Sequence, residues 1–349
     1  MTQTPVHVAL IAEPSAAHVE LYLYSLARCE GVAKISVAGE TGLDPRQLKE
    51  SLGERFEQAV FYRSHADLLQ KNAPDFALVT LEAHQSPQVL HEVLQAGCHV
   101  LAEKPACIRA EDFQPLVTLA ASKNRHLMLS LAGRVAPPVL KAKELVEQGY
   151  LGKLYGIDVH FLADQSRLKS PEYQQSWFSF QDKAGGGHLI WLGIHFLDLI
   201  QFVTGQKIRK VAGFTENVGG TPLDVEDAVA LSLRLDSGTV GTLHCGYYLD
   251  RGYQNQVRIW GSRGWLRFDR VSEAPLECYS TSPGAPSGLQ RFSYSVPAET
   301  GYRPWVQAAI DAVRGLRPPP ISGSEGLQVL KTVFACYRAC DTGVSQAVE

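Results

Sequence analysis

The sequence predicts two fold classes in tandem: a doubly wound α/β half, then an α+β half built on a large, mostly antiparallel, open-faced sheet. Three observations carry this reading. Between Val6 and about Gln148, short β-branched runs without polar alternation are separated by helix-length segments, the pattern of a parallel sheet buried on both faces. After Gly152 the apolar runs alternate with polar positions and are joined by turn signals such as Asp236-Ser237-Gly238 and Gly261-Ser262-Arg263-Gly264, as in antiparallel pairs. The length, 349 residues, exceeds what one hydrophobic core holds, roughly 250 to 300 residues.

In the first half the expected strands are His7 to Ala12, Lys34 to Ala38, Phe76 to Thr80, His99 to Ala102 and His126 to Leu131. Crossover helices are expected over Ser86 to Gly97, with Ser86 capping its start and Gly97 its end, and over Ala110 to Asn124. In the second half, strands are expected over Leu154 to Leu162, Ala228 to Leu235, Gly238 to Tyr248, Asn255 to Gly261 and Gly264 to Asp269. A helical segment, Gly185 to Thr204, follows the first of these strands. Two helical patterns, Tyr302 to Leu316 and Ser324 to Cys340, close the chain, and 272–288 reads as a turn-rich surface excursion. Residues 1–131 therefore form a Rossmann-like dinucleotide-binding domain, and 132–349 a substrate and oligomerisation domain whose closing helices are free to pack back on the first.

Composition excludes several classes. A hydrophobic share of 45% with 20% charged residues rules out global disorder. Against 36 acidic residues stand 33 Lys and Arg without a basic block, so nucleic acid is not an expected partner. The most apolar stretch, Leu189 to Gly205, contains His195, Asp198 and Gln201 and is read as too short and too polar to span a bilayer. No membrane partner is expected. The N-terminus lacks a positive region before its short apolar run, which predicts a cytoplasmic protein. Seven cysteines, an odd number without CxxC spacing, read as buried thiols in a reducing compartment.

A parallel sheet that starts at residue 6 directs attention to its first strand-to-helix turn, where a dinucleotide's pyrophosphate would meet backbone N–H groups. That turn is Ala12-Glu13-Pro14-Ser15-Ala16-Ala17, with no glycine. Pro14 lacks an N–H, the Cβ atoms of Ala12 and Ala17 occupy approach space, and Glu13 sets a negative charge where two phosphate charges would sit. Glu40, after the second strand, would accept from ribose hydroxyls and repel a 2′-phosphate, which favours NAD over NADP.

The strongest local signal is the strand His99 to Ala102 running into Glu103-Lys104-Pro105. With the run from Glu92 to Ala106, this resembles the hallmark of the glucose-fructose oxidoreductase, inositol dehydrogenase and MocA family. The resemblance extends over Lys141 to Phe161, Gly185 to Gly205, Glu226 to Leu243 and Ser324 to Ala339, nearly the whole chain. It implies that Lys104 lies near both nicotinamide and the substrate hydroxyl, that the Pro105 bond is cis, and that Glu103 lies on the cofactor side. An ammonium set beside a cationic ring and partly out of water gives up its proton more readily, so Lys104 suits proton relay.

By the same resemblance His195 matches the family's acid/base histidine, whose side-chain type titrates near neutrality. Where members carry an aspartate one turn earlier, this chain has Trp191, which is either a sugar-stacking platform or simple packing. His188, Trp191, His195 and Asp198 share one side of a regular helix at spacings of three and four, and two histidines without a third ligand make no metal site. A cleft-lining family segment is reduced here to Leu81-Glu82-Ala83-His84, with His84 retained, and an Asn-Tyr-Arg segment to Arg134.

The expected function is therefore nicotinamide-dependent hydride transfer to or from a sugar, polyol or related hydroxy compound. Lys104 and His195 would be catalytic. Ala12, Glu13, Pro14, Ser15, Ala16, Glu40, Leu81, His84, Glu103 and Lys104 would face the cofactor, and Lys104, Arg134, Trp177, Trp191 and His195 the substrate. Two alternatives stand beside it: a noncatalytic sugar-ligand-binding member without tight dinucleotide binding, and a redox-neutral lyase or hydrolase. The expected partners are a small-molecule substrate and further copies of the chain, a dimer or tetramer through the open sheet face.

Overall fold

In the computed structural model, residues 4–39, 43–269, 276–294 and 302–349 are described. The first sheet has six parallel strands, β1 (Val6–Ala12), β2 (Val32–Ala38), β3 (Val60–Tyr62), β4 (Phe76–Thr80), β5 (His99–Ala102) and β6 (Leu127–Leu129), in the order β3-β2-β1-β4-β5-β6. Five of the six were expected. The three-residue β3 is too short to show a period in the sequence. Val8, Ala9 and Leu10 of β1 and all of β4 are buried, as strands covered on both faces must be.

Helices α1 (Val19–Arg28), α2 (Pro45–Leu52), α3 (His65–Asn72), α4 (Ser86–Gln95) and α5 (Ala110–Ser122) make the crossovers. Ser86 is not the cap of α4. Gln85 occupies that position, and the Ser86 hydroxyl donates back to the Glu82 carbonyl at 3.0 Å, while Gly97 takes the left-handed conformation just past the helix end.

The second sheet has nine strands. They are β7 (Leu154–Asp164), β8 (Ile208–Glu216), β9 (Ala228–Leu235), β10 (Val240–Leu249), β11 (Gln254–Gly261), β12 (Gly264–Phe268), β13 (Leu276–Ser280), β14 (Leu289–Phe292) and β15 (Gln346–Ala347). Their order is β14-β13-β12-β11-β7-β10-β9-β8-β15, with β7 and β10 the parallel pair and every other pair antiparallel. One face of β7 is buried through Ile157, Val159, Phe161 and Ala163. The turn-rich reading of 272–288 holds only in part, because β13 lies there and Cys278 is buried: pairing with β12 overrides the local turn chemistry. Residues 272–275 of that stretch fall outside the described residues.

The remaining helices are α6 (Pro137–Glu147), α7 (Pro171–Gln175), α8 (Gln181–Ala184), α9 (Ile194–Thr204), α10 (Arg303–Val313) and α11 (Gly323–Thr342). Two compact units result, one of Met1–Ala132, Asp182–Gly185 and Ala298–Leu327, the other of Gly133–Gln181, Gly186–Pro297 and Gln328–Glu349. Contrary to the expectation for 189–205, the segment Gln181–Thr204 is long and apolar enough by length and composition to cross a bilayer. Of its most apolar window 72% is buried within the protein, as in the core helix of a globular domain. All seven cysteines are free, and six of them are buried.

Candidate functional site

Parallel strands deliver their C-terminal ends to one edge of the first sheet, and the order reverses between β1 and β4, where doubly wound sheets bind ligands. Ala12, Glu13, Leu81 and His84 line a cavity of about 430 Å³ at that edge, together with Gly39. Pro14, Ala16 and His18 line a second one of about 340 Å³. The Glu13 carboxylate is fixed, since its Oε1 accepts from the Glu82 N–H at 2.7 Å. Ser15 donates to the Glu82 carboxylate at 3.2 Å, and His84 Nδ1 lies 3.6 Å from it. Ser15 is thus held by a side chain of the fold. Glu40 lies outside the described residues.

Lys104 follows β5 directly and is buried at 2% exposure, with Glu103 at 5%; the Lys104–Pro105 bond is cis. Glu103 does not point at the cofactor edge as an isolated acceptor. Its carboxylate accepts from the Tyr22 hydroxyl, lies 3.4 Å from His18 Nδ1 and stands 4.0 Å from Lys104 Nζ. Tyr22 also meets Ser130 at 2.6 Å, and the Tyr302 hydroxyl meets His18 Nδ1 at 3.1 Å. Burial and the Glu103 charge push the Tyr22 phenol well above its ordinary range, so it stays a donor to the carboxylate. A buried lysine is thereby given a carboxylate neighbour within its own unit.

In the second unit the glycine run 185–187 opens the helical segment that carries His195. Gly186 has φ 149°, and a Cβ at Gly187 would stand 2.0 Å from the Glu226 carbonyl oxygen. That close approach is held by Glu226 itself: its carboxylate accepts from the Gly187 and Leu189 N–H groups at 2.7 and 2.8 Å and from the Tyr337 hydroxyl at 2.9 Å. Tyr337 in turn accepts from the Ile190 N–H at 3.2 Å. Burial raises the Glu226 pKa while these bonds pull it down. Neither Glu226 nor Tyr337 was legible as a site residue. The available signal was a carboxylate opening an otherwise apolar strand.

The segment is not a regular helix. A π-helical turn, Leu189–Gly193, precedes α9 and inserts extra arc, so the expected single stripe of His188, Trp191, His195 and Asp198 breaks up. His188 and Asp198 are buried, whereas Trp191 and His195 stay partly exposed. Trp191 stands edge-on to Trp177 at 5.7 Å and to Phe178 at 4.5 Å. Trp177, expected at the substrate, is 3% exposed and is a packing residue of this aromatic cluster. Arg134 is also corrected. Its Nε and Nη2 reach Asp198 at 3.0 and 2.7 Å, both residues are buried, and the guanidinium sits 4.8 Å over the Phe202 ring. The Arg134 fork is taken by a carboxylate of the fold instead of a substrate.

The His188 ring lies edge-on to Tyr247 at 4.6 Å and tilted to Phe161 at 5.7 Å, and neither of its nitrogens has a hydrogen-bond partner among the described residues. Burial, then the Arg167 charge, lowers its pKa to about 3.

Two expectations follow. Arg134→Met and Asp198→Asn should each destabilise the fold by about 3–5 kcal/mol in urea titrations, because each leaves one charge or dipole buried alone, and Arg134→Met combined with Asp198→Leu should lose less. A stable Arg134→Met protein that only binds substrate poorly would return Arg134 to the ligand. For His188, the unfolded chain binds a proton below about pH 6.5 that the buried ring refuses down to about pH 3, so stability falls with pH across that window. Glu226 acts in the opposite sense, since its raised pKa favours the folded state on acidification. It is common to wild type and His188→Phe, so the melting temperature of the variant should drop less between pH 7 and about 4.5. Parallel curves would show that His188 does not titrate on unfolding.

Comparison with known proteins assigns both halves. Residues 42–131 match the model of an oxidoreductase family with an NAD-binding Rossmann fold, and 139–267 match the GFO/IDH/MocA C-terminal domain. The chain is similar to a myo-inositol 2-dehydrogenase of Thermotoga maritima, 23% identical over 87% of each chain. It is also similar to a dTDP-3,4-didehydro-2,6-dideoxy-α-D-glucose 3-reductase of Saccharopolyspora spinosa, 26% identical over 87% of this chain and 88% of the relative. Among solved structures, an oxidoreductase domain protein from Kribbella flavida superposes with a TM-score of 0.86 at 22% identity, covering 99% and 100% of the two chains. The WlbA dehydrogenase from Bordetella pertussis, solved with NADH and UDP-GlcNAcA, superposes with a TM-score of 0.83 at 20% identity over 100% and 99%. Matched in both halves, the chain belongs to the glucose-fructose oxidoreductase, inositol dehydrogenase and MocA family of oxidoreductases.

Proposed function

We propose that this protein transfers hydride between NAD and a CH–OH carbon of a sugar, polyol or related hydroxy compound. One observation carries the reading: a buried lysine, Lys104, directly after the C-terminal end of β5 on the ligand-binding edge of a sheet with a β1/β4 switch point. The cavity lined by Ala12, Glu13, Gly39, Leu81 and His84 fits a nucleotide portion in volume and place. Those residues would hold the dinucleotide, whose nicotinamide supplies the hydride acceptor or donor when bound. Lys104 holds the substrate hydroxyl and carries its proton, with Glu103 keeping the ammonium in place from 4.0 Å. His195, in the second unit, is the other candidate proton carrier. NAD rather than NADP rests on Glu40, which would repel a 2′-phosphate.

Glu13 favours a second reading, a sugar-ligand-binding member that holds dinucleotide weakly or not at all, since its fixed carboxylate opposes two phosphate charges. Isothermal titration with NAD, NADH, NADP and NADPH separates the two. NADH should bind, Glu13→Ala should tighten it by about 1–3 kcal/mol, and Lys104→Ala should lower turnover by ~10² to 10⁴ when assayed below its own melting transition, which the loss of the buried ammonium beside Glu103 lowers. No heat with any dinucleotide would transfer the assignment to the second reading.

We also propose that copies of the chain associate through the open face of the second sheet. Phe214, Val240 and Trp260 are 78%, 59% and 40% exposed, and a mainly apolar depression of about 640 Å³ lies along β7 to β11. Light scattering should give two or four times the chain mass, reduced to one by Val240→Glu with Trp260→Glu. A monomeric wild type, or an unchanged mass in the variant, would remove this face from assembly.

A further inference from the structure

The second unit holds a polar cluster that the proposed proton chemistry leaves unused. Arg167 lies just past β7. Its Nη2 donates to the Tyr253 hydroxyl at 2.8 Å, and its guanidinium stands 5.7 Å over the Tyr247 ring. The Tyr253 ring is itself fixed, stacked parallel to Phe161 at 5.9 Å. Edge-on to Tyr247 is the fully buried His188, whose two nitrogens have no hydrogen-bond partner among the described residues. The Tyr247 hydroxyl, also buried, lies beside Tyr173 and Arg167 without a hydrogen bond of regular geometry to either.

Among the described residues no carboxylate comes within ion-pair distance of Arg167. The nearby Asp164 directs its oxygens to the Ser166 and Gly252 N–H groups at 2.7 and 3.3 Å. A half-buried guanidinium without a counter-ion, clamped by a phenol, is a rigid fork that matches a carboxylate in bidentate fashion. A neutral imidazole offers one donor and one acceptor, which suits a hydroxyl-bearing ligand, and a histidine kept only for packing would do better as an apolar ring. Aromatic rings around both groups provide faces for the CH side of a sugar.

We propose that Arg167, Tyr247, Tyr253 and His188 form a subsite for the carboxylate and an adjacent hydroxyl of an acidic sugar. The subsite rests on the oxidoreductase reading and narrows its substrate to a uronate or aldonate. A single guanidinium balances the one charge of a carboxylate, whereas a phosphomonoester brings nearly two.

The test is calorimetry with matched pairs, D-glucuronate against D-glucose and D-gluconate against D-sorbitol, with D-glucose 6-phosphate beside them, each with and without NADH. At least one acid should bind about tenfold or more tighter than its neutral partner. Arg167→Met should erase that preference and leave the neutral affinity within about threefold, Arg167→Lys should keep part of it, and Tyr253→Phe should weaken acid binding several-fold. Far-ultraviolet circular dichroism and melting of all three variants exclude global unfolding as the cause. Equal affinities within each pair, a preference that survives Arg167→Met, tighter binding of glucose 6-phosphate than of either acid, or no sugar binding at all would overturn the subsite. An acid preference seen in a protein that binds no dinucleotide would sustain the subsite and remove the oxidoreductase reading instead.

Discussion

A single buried carboxylate, Glu226, decides how the helical segment that carries His188 and His195 begins. Helix starts leave N–H groups without partners, and inside a protein each must be satisfied. Glu226 satisfies those of Gly187 and Leu189 with its side chain, and its backbone carbonyl takes the His188 N–H at 3.0 Å. The contact requires backbone against backbone, which a Cβ at Gly187 would prevent. Tyr337 completes the arrangement by bridging Glu226 and Ile190. The π-helical turn follows immediately, so the directions taken by His188, Trp191 and His195 all descend from this one anchor.

The first unit solves a related problem at Lys104. Burying an ammonium is costly unless an opposite charge or hydrogen-bond acceptor is near, and burying a carboxylate is costly for the same reason. Glu103 and Lys104 are adjacent in sequence, and Tyr22, His18, Ser130 and Tyr302 gather round the carboxylate from α1, the end of β6 and the start of α10. Three distant pieces of chain are thus committed to holding one Glu-Lys pair at a strand end. Packing alone does not call for such an arrangement, which is why the position of Lys104 supports a chemical role.

The departures from the family pattern concentrate where ligands would bind. The glycine-free turn carries Glu13, and the position of the usual aspartate is occupied by Trp191, packed against Trp177 and Phe178. The scaffold segments persist, including the strand order of the first sheet and the glycine run. A charge of the opposite sign lies elsewhere in the same unit, at Arg167, which is set among phenols and, among the described residues, has no carboxylate within ion-pair distance. A fold of this kind tolerates exchange of ligand chemistry because its stability resides in the two sheets, whose cores the ligand-facing residues do not fill.

By itself the sequence determined the two fold classes, most strands, two of the five crossover helices and the Glu-Lys-Pro segment after β5, because hydrophobic period and local motifs are properties of neighbouring residues. It also determined the glycine-free turn. Short β3, and β13 within 272–288, were not legible, since three to five residues show no period and only pairing with β2 or β12 makes them strands. The roles of Arg134, Trp177 and His188 were decided by tertiary structure alone. Arg134 meets Asp198 from 64 positions away, and the His188 stripe depends on a π-helical turn that no spacing rule anticipates. Whether a guanidinium serves the fold or a ligand is set by what lies opposite it, and for Arg134 and Arg167 that is known only once the chain is folded.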